Sequence, residues 1–273
     1  MNHFTLFEQL ISVGNTVLDV GGHKGDYARH FSHIVEKKGK VYSFEPHPDL
    51  YPQLENVALH STTNNIFPFP YAASDSVGQK ILFSGSDESS DGASTICIEL
   101  ANSDRLGSTI RKFPINTITL DFFCEELKIA PDFVKIDVEG AEDRVVLGMQ
   151  KTLQQYKPTV FFEFGLADTT APIPQHFQIL RDLGYILYLV DMTRFLGNPP
   201  YSWQHIVDSS NTHLKDILFS FTDVDLLSAI PFHTNVLSVH ETSTFHPFPS
   251  HLIQPLPEAQ NLLTNPNLCE KNT

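Results

Sequence analysis

The chain has 273 residues and a formal net charge of −14, with 32 Asp and Glu against 18 Lys and Arg. That length sustains one large α/β domain on a hydrophobic core alone. The charge speaks against DNA, RNA or any other polyanionic partner, because the densest basic cluster, Lys37-Lys38 with Lys40, reads as a solvated helix end and turn.

From the N-terminus, residues 4–11 read as a short amphipathic helix and Thr16 to Val20 as a buried strand. Gly21 to Gly25 is a turn. Tyr27, Phe31, Ile34 and Val35 then recur at helical spacing. Lys40 to Glu45 is the next strand, so the first 45 residues form a β-α-β unit. Pro46 and Pro48 force a non-helical exit, and a helix follows over Leu50 to Leu59. Residues 65–73 are strand-like but broken by Pro68 and Pro70. Gln79 to Phe83 is a further strand, and Ser84 to Ser94, rich in Ser, Gly and Asp, is a loop.

Thr119 to Leu127 reads as a helix and Asp132 to Asp137 as a strand. Glu139 to Leu153 is a helix with Val145, Val146, Met149 and Leu153 on one face. Pro158 to Phe164 is a strand, Phe177 to Leu183 a helix, and Tyr185 to Val190 a strand. Asn235 to His240 closes the series as a strand of antiparallel sense. Residues 245–273, rich in Pro, Asn and Gln, read as a loose tail on a domain over 1–244. The alternation predicts an α/β fold with a mostly parallel central sheet, covered by helices on both faces.

Cys97, Cys124 and Cys269 are widely spaced and form no C-x-x-C pair, which argues against a disulfide framework or a zinc cluster. No stretch approaches the roughly 20 apolar residues of a membrane helix. No basic and apolar leader is seen. A cytoplasmic protein without a membrane span is expected.

Ligands of such sheets bind beyond the C-terminal strand ends. Asp19, Glu45 and Asp137 fall at three of those ends, where a buried carboxylate without a role costs stability. In the first turn Gly21, Gly22 and Gly25 permit positive φ and close approach of a ligand. Glu45, about 20 residues further on, stands where a carboxylate holds ribose hydroxyls. A dinucleotide site wants G-x-G-x-x-G, but Val20 occupies the first glycine position and Asp19 would repel phosphates. S-adenosyl-L-methionine carries an ammonium and a sulfonium and no phosphate, so it suits this acidic turn better than NAD.

Val17 to Gly25 resembles the "DVGANxG" turn of the FkbM family of methyltransferases, a class I, Rossmann-like family. Val41 to Pro46 resembles its "VxAFEP" strand, and Ala72 to Asp75 with Gly78 its "ALSDxxG". Thr119-Leu120-Asp121 is similar to "TLD", and Val134 to Glu142 to "IKIDVEGAE". The matches run in order over about residues 17–163. Gly22-His23 departs from the usual Ala-Asn; Gly22 is read as merely loosening the turn. The resemblance implies a methyltransferase using S-adenosyl-L-methionine, usually on oxygen. Its small-molecule or glycan acceptor would be a hydroxyl of a glycan, lipid or natural product, with the assembly state open. Asp19, Gly21 and Gly25 would meet the methionine moiety and Glu45 the ribose. Asp75 or its backbone would meet the adenine edge, although turn chemistry explains Asp75 equally well.

Methyl transfer needs alignment and, for a hydroxyl acceptor, help in removing a proton. Asp137, ending a central strand, is the first candidate catalytic residue, to orient or deprotonate the acceptor. Glu139 is the second, with helix capping an equal explanation; Glu142 reads as capping. Glu163, within Phe161 to Phe164, needs a partner or a role and completes an acidic acceptor pocket. Such a trio is also an oxygen-ligand set for Mg²⁺, but a polar pocket wall is preferred and no metal site is assigned. His23 and His47 are alternative bases, and Lys135 is read as structural. Two other classes stay open: an NAD-linked oxidoreductase, and a degenerate cofactor fold serving as a binding module.

Overall fold

The computed structural model describes residues 5–85, 94–98, 106, 109–164, 175–190, 218–220 and 234–242. The tail over 245–273 and most of the Ser84 to Ser94 loop lie outside the described residues. The helices are α1 (Thr5–Leu10), α2 (Asp26–Val35), α3 (Tyr51–Leu59), α4 (Leu120–Leu127), α5 (Glu142–Leu147), α6 (Gln150–Tyr156) and α7 (Gln175–Asp182). The strands are β1 (Thr16–Val20), β2 (Lys40–Phe44), β3 (Ile66–Phe69), β4 (Tyr71–Ala73), β5 (Gly78–Gly85) and β6 (Ser94–Thr95). They continue as β7 (Ile110–Ile118), β8 (Phe133–Ile136), β9 (Thr159–Phe164), β10 (Tyr185–Val190), β11 (Leu218–Ser220) and β12 (Thr234–His240). None of the described helices is long and apolar enough to cross a membrane.

Eight described strands form one sheet in the order β11-β10-β12-β9-β8-β1-β2-β3. From β3 through β9 all neighbours are parallel. The order reverses at β1, which is reached from β2 on one side and β8 on the other, the doubly wound, Rossmann-like arrangement that opens a crevice at the strand ends. β12 pairs antiparallel with both β9 and β10, in the sense expected for Asn235 to His240.

Both sheet faces are packed. On one, Phe7 of α1 meets Phe31, Phe133 and Phe161 edge to face at 5.0–5.9 Å between centroids. On the other, Leu18, Val20, Val134 and Ile136 pack with Phe123 of α4 and with Val145, Val146, Met149 and Leu153.

Three departures from the sequence reading have physical causes. The helix expected over Glu139 to Leu153 is two helices with a break at Gly148-Met149, and only glycine fits at 148 because a Cβ there would overlap the Ser74 carbonyl. Asp121 caps the second of them by accepting from the amides of Lys151 and Thr152 (3.1 and 2.7 Å), while its own N–H donates to Gly148 O. Thr119 caps α4 through Oγ1, so two residues of Thr119-Leu120-Asp121 are helix caps.

The stretch 65–73 is two strands in different sheets, with Pro70 at the corner. β4, β5, β6 and the unforeseen β7 form a second sheet in the order β4-β7-β5-β6. Pro114 is tolerated in β7 because β4 reaches only Asn116 to Ile118 on that side.

Candidate functional site

A cleft of about 260 Å³ opens at the C-terminal ends of β1, β2 and β8. Its polar wall holds Gly21, Gly22, His23, Glu45, Asp137 and Glu139, and its apolar wall includes Leu50, Tyr71, Leu82 and Ile96 from α3's approach and the second sheet. Ala73, two residues before Asp75, also lines it.

The glycine turn is pinned to β2. The amides of Gly21 and Gly22 both donate to Phe44 O (3.0 and 2.9 Å). Gly21 has φ +83° and lies against the Asp137 carbonyl so closely that a Cβ would overlap it. Glycine there is demanded by contact between the ends of β1 and β8, whatever ligand binds. Gly22 does more than loosen the turn. A Cβ on it would come closer than 3.0 Å to Ser43 Oγ. His23 takes φ +49°, the left-handed region that Asn and His tolerate better than most residues. Its amide donates to Glu45 Oε2 (2.7 Å).

Glu45 is 6 % exposed. Its other oxygen accepts from the His47 amide (2.8 Å). Burial pushes its carboxyl above the ordinary value, against the pull of those two amide bonds. The His47 ring is buried and engaged. Nδ1 accepts from the Asp49 amide, so Nε2 donates to Ser84 Oγ at 3.0 Å, tying this loop to β5.

Beneath the turn, strand register sets Ser43, Asp19 and Lys135 side by side on β2, β1 and β8. Ser43 Oγ donates to Asp19 Oδ2 (2.7 Å), and Lys135 Nζ lies 3.5 Å from Oδ1. Asp19 is fully buried, and burial raises its carboxyl despite Lys135 and Ser43. Lys135 Nζ donates to Gly21 O (2.7 Å), stands 3.3 Å from Asp137 Oδ2 and lies over the Tyr27 ring at 4.5 Å. Burial alone would lower its pKa, but Asp137 and Asp19 hold the ammonium above the ordinary value.

From the end of β8 across to β9, Asp137, Glu139 and Glu163 each bring a carboxylate oxygen within 4.8 Å of the others. That spacing is compatible with a polar wall or with a divalent-cation ligand set. The loop carrying Glu139, which has φ +54°, is folded around Glu142. Glu142 Oε1 accepts from the amides of Val138 (3.2 Å) and Gly140 (3.3 Å). Cys97 Sγ donates to Gly140 O from the second sheet (3.0 Å).

Asp75 stands apart. Its Oδ1 accepts from Ser74, Ser76 and Lys80. Burial opposes its ionisation, but these bonds hold the carboxyl below its ordinary value. Asp19, Gly25, Asp75 and Glu163 are not among the described residues lining the cleft. Ser43 is not singled out from the sequence, Lys135 reads as structural, and Cys97 reads only as an unpaired cysteine. The first two were recoverable from register, since Asp19 in β1 aligns with both once three parallel neighbours are assumed.

Residues 19–187, more than half of the chain, match the model of the methyltransferase FkbM domain. The chain belongs to the FkbM methyltransferase family. The match runs into β10, beyond the FkbM motifs that ended near Glu163. Among curated proteins, the hexuronic acid methyltransferase AglP of Haloferax volcanii is 31 % identical over 137 residues. That alignment takes in 50 % of each chain, so this FkbM chain spans about half the length of the relative it matches. Among solved structures, an FkbM methyltransferase of Methylobacillus flagellatus aligns with TM-score 0.48 and 14 % identity, over 84 % of this chain and 44 % of that one. Aeropyrum pernix fibrillarin with natively bound S-adenosyl-L-methionine aligns with TM-score 0.44 and 15 % identity, over 86 % and 73 %.

Proposed function

We propose that the chain is an S-adenosyl-L-methionine-dependent O-methyltransferase acting on a hydroxyl of a saccharide, with lipids and natural products as further acceptor classes. We assign the activity to residues 1–244. The observation that carries this reading is the environment of Glu45: a buried carboxylate on the cleft wall, pinned by two backbone amides. A carboxylate has about four lone-pair sites, so two remain for the hydroxyls of a ribose.

The charge of the cleft supports a cationic cofactor. Asp19, Asp137 and Glu139 surround the glycine turn, with Lys135 as compensation. A pyrophosphate there would meet like charge, whereas an ammonium and a sulfonium meet opposite charge. The residues fit such a cofactor by charge and shape, since the amides of the turn are already bonded to Phe44 O and Glu45. Its amino-acid end would lie against Gly21, Gly22 and His23 with its ammonium toward Asp137, its ribose on Glu45, and its adenine against Leu82, Ile96 and the strand end at Ala73. When bound it supplies an activated methyl group. The chain's own part is to align the acceptor, which can contribute on the order of 7–11 kcal/mol. Asp137, with Glu139 and Glu163 behind it, would accept the hydrogen bond of the incoming hydroxyl. The relative's printed name, a hexuronic acid methyltransferase, favours a sugar as the acceptor class.

Calorimetric titration with S-adenosylhomocysteine, with NAD as the control, tests the reading. Binding of the former alone is expected, followed by transfer of isotopically labelled methyl to members of a saccharide panel. Heat from NAD alone, or from neither ligand, would overturn it. An absolute requirement for Mg²⁺ in the transfer assay would reassign the acidic trio to a cation.

A further inference from the structure

Lys135 is 2 % exposed. Its ammonium has three protons and faces three oxygens: Gly21 O at 2.7 Å, Asp137 Oδ2 at 3.3 Å and Asp19 Oδ1 at 3.5 Å. The Tyr27 ring closes another side. A packing residue would not need this arrangement, since the neighbouring positions Phe133 and Phe161 fill the same sheet face with hydrocarbon.

The three oxygens come from two neighbouring strands. Gly21 is in the turn at the end of β1, and Asp137 follows the end of β8. The two already touch, because a Cβ on Gly21 would overlap the Asp137 carbonyl. We propose that Lys135 is a positioning residue, registering the methyl-donor turn of β1 against the acceptor-side carboxylate of β8. This rests on the methyltransferase reading above. In-line displacement is sensitive to alignment: a misplacement of about 1 Å can cost on the order of a hundredfold. One ammonium bonded to both sides removes the freedom that would produce it. Arginine does not replace it, because a planar fork cannot meet three oxygens disposed around a single nitrogen.

The test is a binding cycle with S-adenosylmethionine and S-adenosylhomocysteine, which differ by one methyl group and its positive charge. Wild type, Lys135→Met, Asp137→Asn and the double variant are titrated by calorimetry, with thermal unfolding recorded for each. Asp137→Asn alone is expected to reduce the preference for the methylated cofactor. Lys135→Met is expected to weaken both ligands by about tenfold or more and to remove most of the further effect of Asp137→Asn. If Lys135→Met binds like wild type, or if the two substitutions act independently on the preference, the proposal falls. Where Lys135→Met does not fold, Asp19→Asn/Lys135→Met removes one buried anion with the cation and serves in its place. Wild type that binds neither ligand would refute the methyltransferase reading itself, a different outcome from the two above.

Discussion

Substituting Gly22 by Ala puts a methyl group where Ser43 Oγ already stands. The backbone does not forbid it, since Gly22 is not among the glycines with positive φ. The overlap is with one hydroxyl, and Leu54 Cδ2, at 3.1 Å, is the next tight contact. Ser43 can escape only by rotating Oγ away, which breaks its 2.7 Å bond to Asp19 Oδ2. A hydrogen bond to a charged group contributes about 1.5–3 kcal/mol. Staying put instead costs about 1–3 kcal/mol of overpacking. Gly22→Ala should therefore destabilise by roughly 1–3 kcal/mol by either route, less a few tenths regained from the unfolded chain. Ser43→Ala should cost about 1.5–3 kcal/mol through the lost bond. The double variant should cost little more than Ser43→Ala, because the introduced methyl enters the space the hydroxyl vacated and only the 3.1 Å contact with Leu54 Cδ2 must relax. The FkbM motifs carry Ala at both positions, which is the same exchange in reverse. Urea denaturation of the four proteins measures the coupling. Single costs that simply add, within about 0.5 kcal/mol, would refute the argument that these side chains share one space.

Two further outcomes follow. Burial raises the Glu45 carboxyl, so on acidification the free protein takes up a proton there at higher pH than an ordinary glutamate would. Ribose hydroxyls need the ionised form, so cofactor binding should release protons and weaken as pH falls toward the ordinary carboxylate range. Calorimetry in buffers of different ionisation enthalpy would detect the release, and affinity that is flat across that window would contradict it. Asp121→Ala should destabilise by about 1–2 kcal/mol, because the amides of Lys151 and Thr152 lose their cap. It should leave S-adenosylhomocysteine affinity nearly unchanged, which thermal unfolding and calorimetry together check.

Much of this architecture was legible before the structure, because it follows from local patterns. Hydrophobic runs marked β1, β2, β8, β9 and β10, and carboxylates at strand ends marked the cleft. Asp137, Glu139 and Glu163, separated by up to 26 residues, were grouped from sequence and do converge. What escaped depends on distant contacts. The contact that demands glycine at the helix break, between Gly148 and Ser74 O, spans some 74 residues. β7 was hidden by Pro114, which reads as a strand breaker until β4 is seen to leave that side open. Lys135 looked structural because its partners, Gly21 O and Asp19, lie more than 100 residues earlier. The family match, too, runs past the last motif read from the sequence, to residue 187.

The place of β12 bears on how the molecule is made. β9 and β10 cannot pair with each other; each waits for β12, so Glu163 meets its neighbour Asn235 only across a wide span of sequence. Such non-local pairing forms slowly and late. During synthesis the edge bearing Val160 and Phe162 stands open until residues 234–240 have left the ribosome, a window in which that apolar strand is exposed to self-association. The third carboxylate of the acidic trio is thus seated last, and a chain arrested before β12 would carry a finished glycine turn beside an unfinished acidic cluster.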